Sequence, residues 1–193
     1  MEMQATRLLG VTQQQAWLAL NDPQVLKLCI PGCDKVEATA DSEFDIGMAL
    51  RIGPVSARFK GHISLSDIVP PSSYRISFEG QGGPAGFGKG QAQVQLAPVG
   101  SVCELSYSVT ASVGGKVAQL GQRLIDGVAR SLAEDFFRRF DEEMQRRHGD
   151  TVDAATPATG TGAPALPAVL LPALVSAGLG AAAMLLLLVL VTR

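Results

Sequence analysis

The chain has 193 residues, of which 47% are hydrophobic and 18% are charged, and its formal net charge is −2. It contains no basic block, so attraction to a phosphate backbone is weak and we expect no nucleic-acid partner. Its three cysteines are an odd number, which argues against a disulfide framework. Cys29 and Cys33 are four positions apart, unlike common zinc or redox pairs, so we expect free thiols around a turn and no metal site.

Residues 168–191, near the C-terminus, contain no charged side chain and are mostly apolar. As a helix they would span about 36 Å at about 1.5 Å per residue, enough to cross a hydrocarbon core of about 30 Å. The first residues of the chain have neither the basic region nor the apolar run of a secretory signal. We therefore expect a single-pass C-terminal anchor over residues 168–193 in the cell membrane, with the preceding residues in the cytoplasm.

Residues 149–167 consist mainly of Ala, Thr, Gly and Pro, with little that a core could bury. This composition predicts a disordered linker. Residues 1–148 are enough for one globular domain with a single core. The predicted organisation is therefore a domain, a linker and a membrane anchor.

Two short helices are predicted near the start of the domain. Thr12 is followed three residues later by Gln15, which is the spacing of a capping box, and the helix that it opens ends near Asn21. Asp22-Pro23 then places a capping side chain before a proline at the first helical position. The second helix should extend to about Cys29.

Between residues 35 and 113 the apolar residues recur with a period of two, which predicts strands with one buried face. Two strands meet at the Gly53-Pro54 turn, and further turns are predicted near residues 70–73, 81–87 and 98–100. A first strand near residues 3–9 completes an antiparallel sheet of about seven strands.

After Gly114-Gly115 the pattern changes to helical spacing, which continues to about Arg147. The apolar residues of this stretch are Val117, Leu120, Leu124, Val128, Leu132, Phe136, Phe140 and Met144. They predict one amphipathic helix of about 30 residues, roughly 45 Å long, which would lie in the concave face of a curved sheet. The fold class is therefore α+β.

The order of a strand, two short helices, six strands and a long helix resembles the START-like helix-grip fold. Within that fold, the chain resembles the family of the G subunit of carbon monoxide dehydrogenase. The resembling segments cover nearly the whole predicted domain and are 20–23 (LNDP), 30–33 (IPGC), 53–55 (GPV), 59–61 (FKG), 82–90 (GGPAGFGKG), 114–116 (GGK) and 118–121 (AQLG). Their combined order and spacing make the resemblance specific. Some members of this family also carry a Pro/Ala-rich linker and a C-terminal anchor.

The resemblance implies a non-catalytic accessory protein that brings a molybdenum-containing carbon monoxide dehydrogenase, or a related molybdenum hydroxylase, to the membrane. It further implies that a quinone, either menaquinone or ubiquinone, binds in the cavity of the fold and links the enzyme to the respiratory chain. No covalently bound cofactor is expected. The open alternatives are a carrier of another lipid or hydrophobic metabolite, and a START-like enzyme such as a cyclase or hydrolase.

Small residues at inward positions would leave a cavity between the sheet and the helix, and Gly61, Gly80, Ala92 and Ala111 are predicted there. An apolar cavity suits a flat hydrophobic ligand. The alternative is a filled core; the fold resemblance and the predicted membrane tether favour the ligand. The predicted lining is formed by Met48, Leu50, Phe59, Ile63, Phe78, Phe87, Val94, Tyr107, Val109, Leu120, Leu124 and Val128.

Six glycines between positions 80 and 90 do not open a helix after a parallel strand, so we expect no nucleotide loop there. They predict either a flap over the cavity with Phe87 at its tip or an ordinary hairpin loop. No nucleophile with a base is evident, and Tyr107, followed by Asp126, is the candidate to hydrogen-bond a ligand. Arg58, Lys60 and His62 form an outward row that would either dock an acidic partner surface or stay solvated.

Overall fold

The computed structural model describes residues 2–149, which form a seven-stranded antiparallel sheet with helices on one side. The strand order is β1-β7-β6-β5-β4-β3-β2, so β1 and β2 are the edges. The strands are β1 (Glu2–Leu9), β2 (Cys33–Ala40), β3 (Glu43–Ile52), β4 (Val55–Val69), β5 (Ser73–Gln81), β6 (Phe87–Val99) and β7 (Val102–Gly114). The predicted α+β sheet of about seven strands is confirmed.

The predicted anchor and all of the predicted linker except Gly149 lie outside the described residues. Within residues 2–149, no helix is both long enough and apolar enough to cross a bilayer.

Helices α1 (Gln13–Leu20) and α2 (Pro23–Cys29) connect the two edge strands and begin as predicted. The Thr12 hydroxyl accepts a hydrogen bond from the backbone N–H of Gln15, while the Gln15 side chain accepts one from the backbone N–H of Thr12. The Asp22 carboxylate caps α2 by accepting a hydrogen bond from the backbone N–H of Gln24. These local bonds satisfy helix N–H groups that have no partner within the helix.

The long helix α3 (Gln122–His148) starts later than the sequence pattern predicts. Ala118–Leu120 forms a separate 3₁₀ turn, and Gly121 follows with φ of +89°. This backbone conformation favours glycine and cannot continue a right-handed helix, so Val117 and Leu120 do not belong to α3. The predicted continuous helix is therefore corrected to a turn followed by a helix of 27 residues.

Helix α3 packs against one face of the sheet, which we call the inner face. The rings of Phe137 on α3 and Tyr107 on β7 stack with their centroids 6.1 Å apart. Further helix residues in the same core are Ile125, Ala129, Ala133, Phe136, Phe140 and Met144. One long helix against an antiparallel sheet is the arrangement of the helix-grip fold, which confirms that prediction.

The end of α3 is tied to the two short helices by polar side chains. The Arg147 guanidinium lies 3.0 Å from the Asp22 carboxylate at the start of α2. The Gln15 amide lies 3.3 Å from Nδ1 of His148. Helix α3 is thus held at its C-terminal end to both α1 and α2.

Candidate ligand-binding site

The inner face of the sheet carries most of the predicted lining. Alternation along the strands directs every second side chain toward α3, where it leaves the solvent. Eight predicted residues are buried there, each no more than 8% exposed: Met48, Leu50, Phe59, Ile63, Phe78, Val94, Tyr107 and Val109. The structure therefore brings these eight side chains into one apolar layer.

The three predicted lining residues near the start of α3 are less buried. Leu120 and Val128 are half-buried at the border of the core, and Leu124 is 39% exposed. The Leu124 side chain lies beside the Gly53 turn between β3 and β4. Buried in this part of the helix are Ile125, Ala129 and Ala133 instead. These three belong to the candidate site, and the apolar pattern of the sequence did not predict them.

Phe87 lies on the other face of the sheet, which we call the outer face. It precedes Gly88, which is buried on the inner side, and its own side chain is 54% exposed. Its ring lies over Gly114, the residue paired with it on β7. The structure thus separates Phe87 from the inner-face lining.

The predicted flap, the connection between β5 and β6, makes backbone hydrogen bonds at two places. The Gly82 N–H donates to the Gly86 carbonyl over 2.7 Å, closing the loop on itself. The Val117 N–H donates to the Ala85 carbonyl over 2.9 Å, which fastens the loop to the segment before α3. In this structure the loop is an ordered connection in contact with the β7–α3 segment.

Glycines of three neighbouring strands lie side by side on the inner face. Gly61 on β4 pairs with Gly80 on β5, and Gly80 pairs with Gly88 on β6. The predicted inward positions of Gly61, Gly80, Ala92 and Ala111 are confirmed, since all four are buried. With Ala129 and Ala133 on the opposing helix, this part of the interior has few large side chains.

The Phe59 ring lies over Gly82, the residue that follows β5. An ideal Cβ on Gly82 would lie 2.5 Å from Cδ1 and 2.9 Å from Cζ of the Phe59 ring. Real Cβ atoms essentially never approach other atoms to less than 3.0 Å. The Phe59 ring therefore rests on the bare backbone of Gly82.

Tyr107 supplies the polar group of the inner face that was predicted to meet a ligand. Burial raises the pKa of its hydroxyl, and Arg7 partly opposes that increase. The hydroxyl therefore stays protonated at neutral pH and is able to donate a hydrogen bond to a carbonyl oxygen. The Asp126 side chain is half-buried and instead accepts a hydrogen bond of 2.7 Å from Gln122, one turn earlier on α3.

The cysteines are free, as predicted, with Cys29 and Cys103 buried and Cys33 partly buried. Burial and the nearby Glu143 carboxylate raise the pKa of Cys29 to about 12, so this thiol is not nucleophilic at neutral pH. Within residues 2–149, no three His, Cys, Asp or Glu side chains are placed to hold a metal ion.

The predicted outward row lies on the outer face, beside a groove of about 850 Å³. Arg58 forms an ion pair with Asp34, and Nδ1 of His62 lies 3.0 Å from the Asp45 carboxylate. Lys60 lines the same groove. Two of the three side chains are thus already matched with acidic groups of the domain, which reduces the positive potential that an acidic partner would meet.

A family model that describes the G subunit of carbon monoxide dehydrogenase (CoxG) matches residues 9–145. A conserved protein from Geobacillus kaustophilus has a similar solved structure, with 33% identity and a TM-score of 0.72 over 76% of this chain and 96% of that one. No protein of curated function matches the chain.

Two more distant structures share the fold alone. A protein from Thermus thermophilus is 16% identical, with a TM-score of 0.53 over 74% of this chain and 99% of that one. The Zhui aromatase/cyclase from a Streptomyces species is 14% identical, with a TM-score of 0.54 over 82% of this chain and 99% of that one. At these identities the shared fold says nothing about a shared activity.

Proposed function

Because the chain belongs to the CoxG family of carbon monoxide dehydrogenase G subunits, we propose that it is an accessory protein that recruits a molybdenum hydroxylase to the membrane and binds a quinone. The partner would be a carbon monoxide dehydrogenase or a related molybdenum enzyme. The family match over residues 9–145 is the observation that carries this proposal. The described domain supplies the ligand site, and the apolar residues 168–191 would supply the tether.

The inner face supports the ligand half of the proposal. It combines apolar walls with the small residues Gly61, Gly80, Ala129 and Ala133, and it has a protonated tyrosine hydroxyl. A quinone headgroup needs an apolar environment and a few donors to its carbonyl oxygens. Tyr107, the candidate donor, stacks on Phe137 at the aromatic end of the interior, away from Gly61 and Gly80, so its hydroxyl would bond a polar group of the ligand at that end.

The tether supports the recruitment half through effective concentration. A partner that binds a membrane-anchored protein meets membrane quinones far more often than a freely diffusing enzyme would. No catalytic group is required for this role. Electrons would pass from the enzyme to the quinone held at the membrane, which links the enzyme to the respiratory chain.

Ligand binding is tested by purifying the full chain, extracting it with organic solvent and measuring quinone per protein by mass spectrometry. Ala133→Leu, 3% exposed in the native protein, places extra volume at the inner face and should remove most of the quinone. Ser131→Leu, at an exposed position of the same helix, is the matched control.

The same pair of variants distinguishes a ligand site from a filled core. In a filled core the extra methylenes of Ala133→Leu would destabilise the fold by about 1–3 kcal/mol. With space for a ligand, they should leave unfolding of the quinone-free protein nearly unchanged. A different lipid in the extract would favour the carrier alternative, and an extract without any lipid would contradict the ligand half.

Recruitment is tested with a chain in which Leu179→Arg and Ala182→Arg interrupt the apolar segment near its middle. Each arginine costs about 2.5–3.5 kcal/mol at the centre of a membrane-spanning helix, so insertion should fail. Molybdenum-enzyme activity should then move from the membrane fraction to the supernatant. Activity that stays in the membrane fraction would contradict recruitment through this segment.

A further inference from the structure

At three glycines of this domain an added Cβ would collide with a phenylalanine ring, and at two of them, one on each face of the sheet, no backbone atom is nearer than the ring. At Gly82 the three atoms nearest to an ideal Cβ all belong to the ring of Phe59. At Gly114 they all belong to the ring of Phe87, with Cζ 2.6 Å and Cε1 2.7 Å away. In both cases an added methyl group would collide with the ring, and no backbone atom would be nearer to it than the ring atoms are. The Gly114–Phe87 pair on the outer face is therefore a matched control for the Gly82–Phe59 pair on the inner face.

The backbone at Gly82 does not itself require glycine. Its φ of −115° and ψ of 24° are accessible to other residues. The hydrogen bond that its N–H donates to Gly86 would persist with alanine. The contact with the ring of Phe59 thus distinguishes glycine from alanine at this position.

A ring displaced from Gly82 would move toward the glycines at the neighbouring inner positions of β4 and β5. Phe59 is 1% exposed, and the next inner position of its strand is Gly61. Gly61 pairs with Gly80, so neither strand offers a side chain that would block the ring there. The displaced ring would therefore enter the interior between the sheet and α3.

We infer that Gly82 is a positioning residue that keeps the Phe59 ring against the sheet, and that it thereby reserves the adjacent interior for the flat ring of a hydrophobic ligand. This inference rests on the proposed ligand-binding function and adds a residue that sets the size of the ligand. Gly114 and Phe87 make the same contact on the outer face and should have no influence on the ligand.

The test uses the full chain in a non-ionic detergent and 2-methyl-1,4-naphthoquinone as the probe, with quenching of Trp17 fluorescence as the readout. Gly82→Ala should weaken probe binding at least about tenfold, because the Phe59 ring takes its space. Gly114→Ala should change it by less than about twofold. The double variant Gly82→Ala/Phe59→Leu should restore most of the affinity, because leucine lacks the ring.

Rescue by Phe59→Leu separates positioning from a general loss of stability. Equal probe affinity in Gly82→Ala and Gly114→Ala would overturn the inference while leaving quinone binding intact. A loss that Phe59→Leu does not rescue would overturn it as well. If the unaltered chain does not bind the probe, the proposal that the ligand is a quinone is contradicted. The inference about Gly82 is then tested by the position of the Phe59 ring alone.

That position is measured by NMR on the full chain with labelled phenylalanine. In Gly82→Ala the ring protons of Phe59 should gain nuclear Overhauser contacts to the Hα atoms of Gly80. In Gly114→Ala they should not. A Phe59 ring that stays beside residue 82 in the alanine variant would overturn the inference whether or not a ligand binds.

Discussion

The two halves of α3 differ in what they place against the sheet. The C-terminal half carries Phe136, Phe137 and Phe140, whose neighbouring rings lie with centroids 5.4 and 5.9 Å apart. The N-terminal half presents Ile125, Ala129 and Ala133 to the same sheet. Aromatic packing thus fills one end of the interior, whereas small side chains cover the other end.

The two halves also differ in how their ends are held. At the C-terminus, the Glu143 carboxylate is only 9% exposed and accepts hydrogen bonds from Arg146 and Arg147. At the N-terminus, Gly121 provides no side-chain cap, and Gly127 lies within the second turn. The helix therefore combines a firmly held end with a weakly held one, and the weakly held end lies over the small residues of the candidate site.

The largest expected change in the free energy of unfolding comes from a substitution in the aromatic C-terminal half of α3. Phe140 is 0% exposed, so Phe140→Ala should lower the free energy of unfolding by about 3–5 kcal/mol. Leu124→Ala in the other half, where the native side chain is 39% exposed, should cost less than about 1 kcal/mol. Urea unfolding followed by circular dichroism measures both, and equal losses would remove the contrast between the two halves.

A smaller effect is expected from Glu143→Gln. Hydrogen bonds from Arg146, followed by those from Arg147, lower the pKa of Glu143 in the folded protein. The resulting stability is present above the unfolded-state pKa of about 4.3 and is lost as the pH falls through the folded-state value. The variant should therefore be less stable by about 2 kcal/mol at pH 7, with a smaller difference near pH 3. Urea unfolding at the two pH values would contradict this if the difference stayed constant.

The smallest effect should be a gain. A Cβ on Gly127 would meet nothing within 4 Å, so Gly127→Ala should stabilise the helix by about 1 kcal/mol. Amide hydrogen exchange in the first two turns of α3 should slow. Gly149→Ala, beyond the last helical residue, serves as the control. Unchanged exchange near residue 127 would show that these turns are not the weakly held end.

Much of the fold follows from local patterns that the structure confirms. The caps at Thr12 and Asp22 depend on bonds within three residues, which a sequence displays directly. Period-two alternation also places Gly61 and Val94 correctly, because each strand continues without a break through these positions. The same alternation puts residue 87 opposite in orientation to residue 94, so the outer position of Phe87 was predictable from the sequence.

The helix was harder to predict because its apolar series has steps of four. A helix has 3.6 residues per turn, so each such step rotates the side chain by about 40° around the axis. From Leu124 to Met144 the series therefore passes from an exposed side to a buried one. The ring of Phe59 on Gly82 was beyond prediction, since it depends on the register between β4 and β5 and on a rotamer.

The ties between α3 and the short helices have a mechanical consequence. A pull applied at Gly149 reaches α3 through its last turn, where Arg147 bonds to Asp22 and His148 to Gln15. The force would therefore be transmitted to both short helices before it could separate α3 from the sheet. If residues 168–191 anchor the chain in a membrane, as we propose, a pull from the membrane would load the end of α3 that lies farthest from its weakly capped turns.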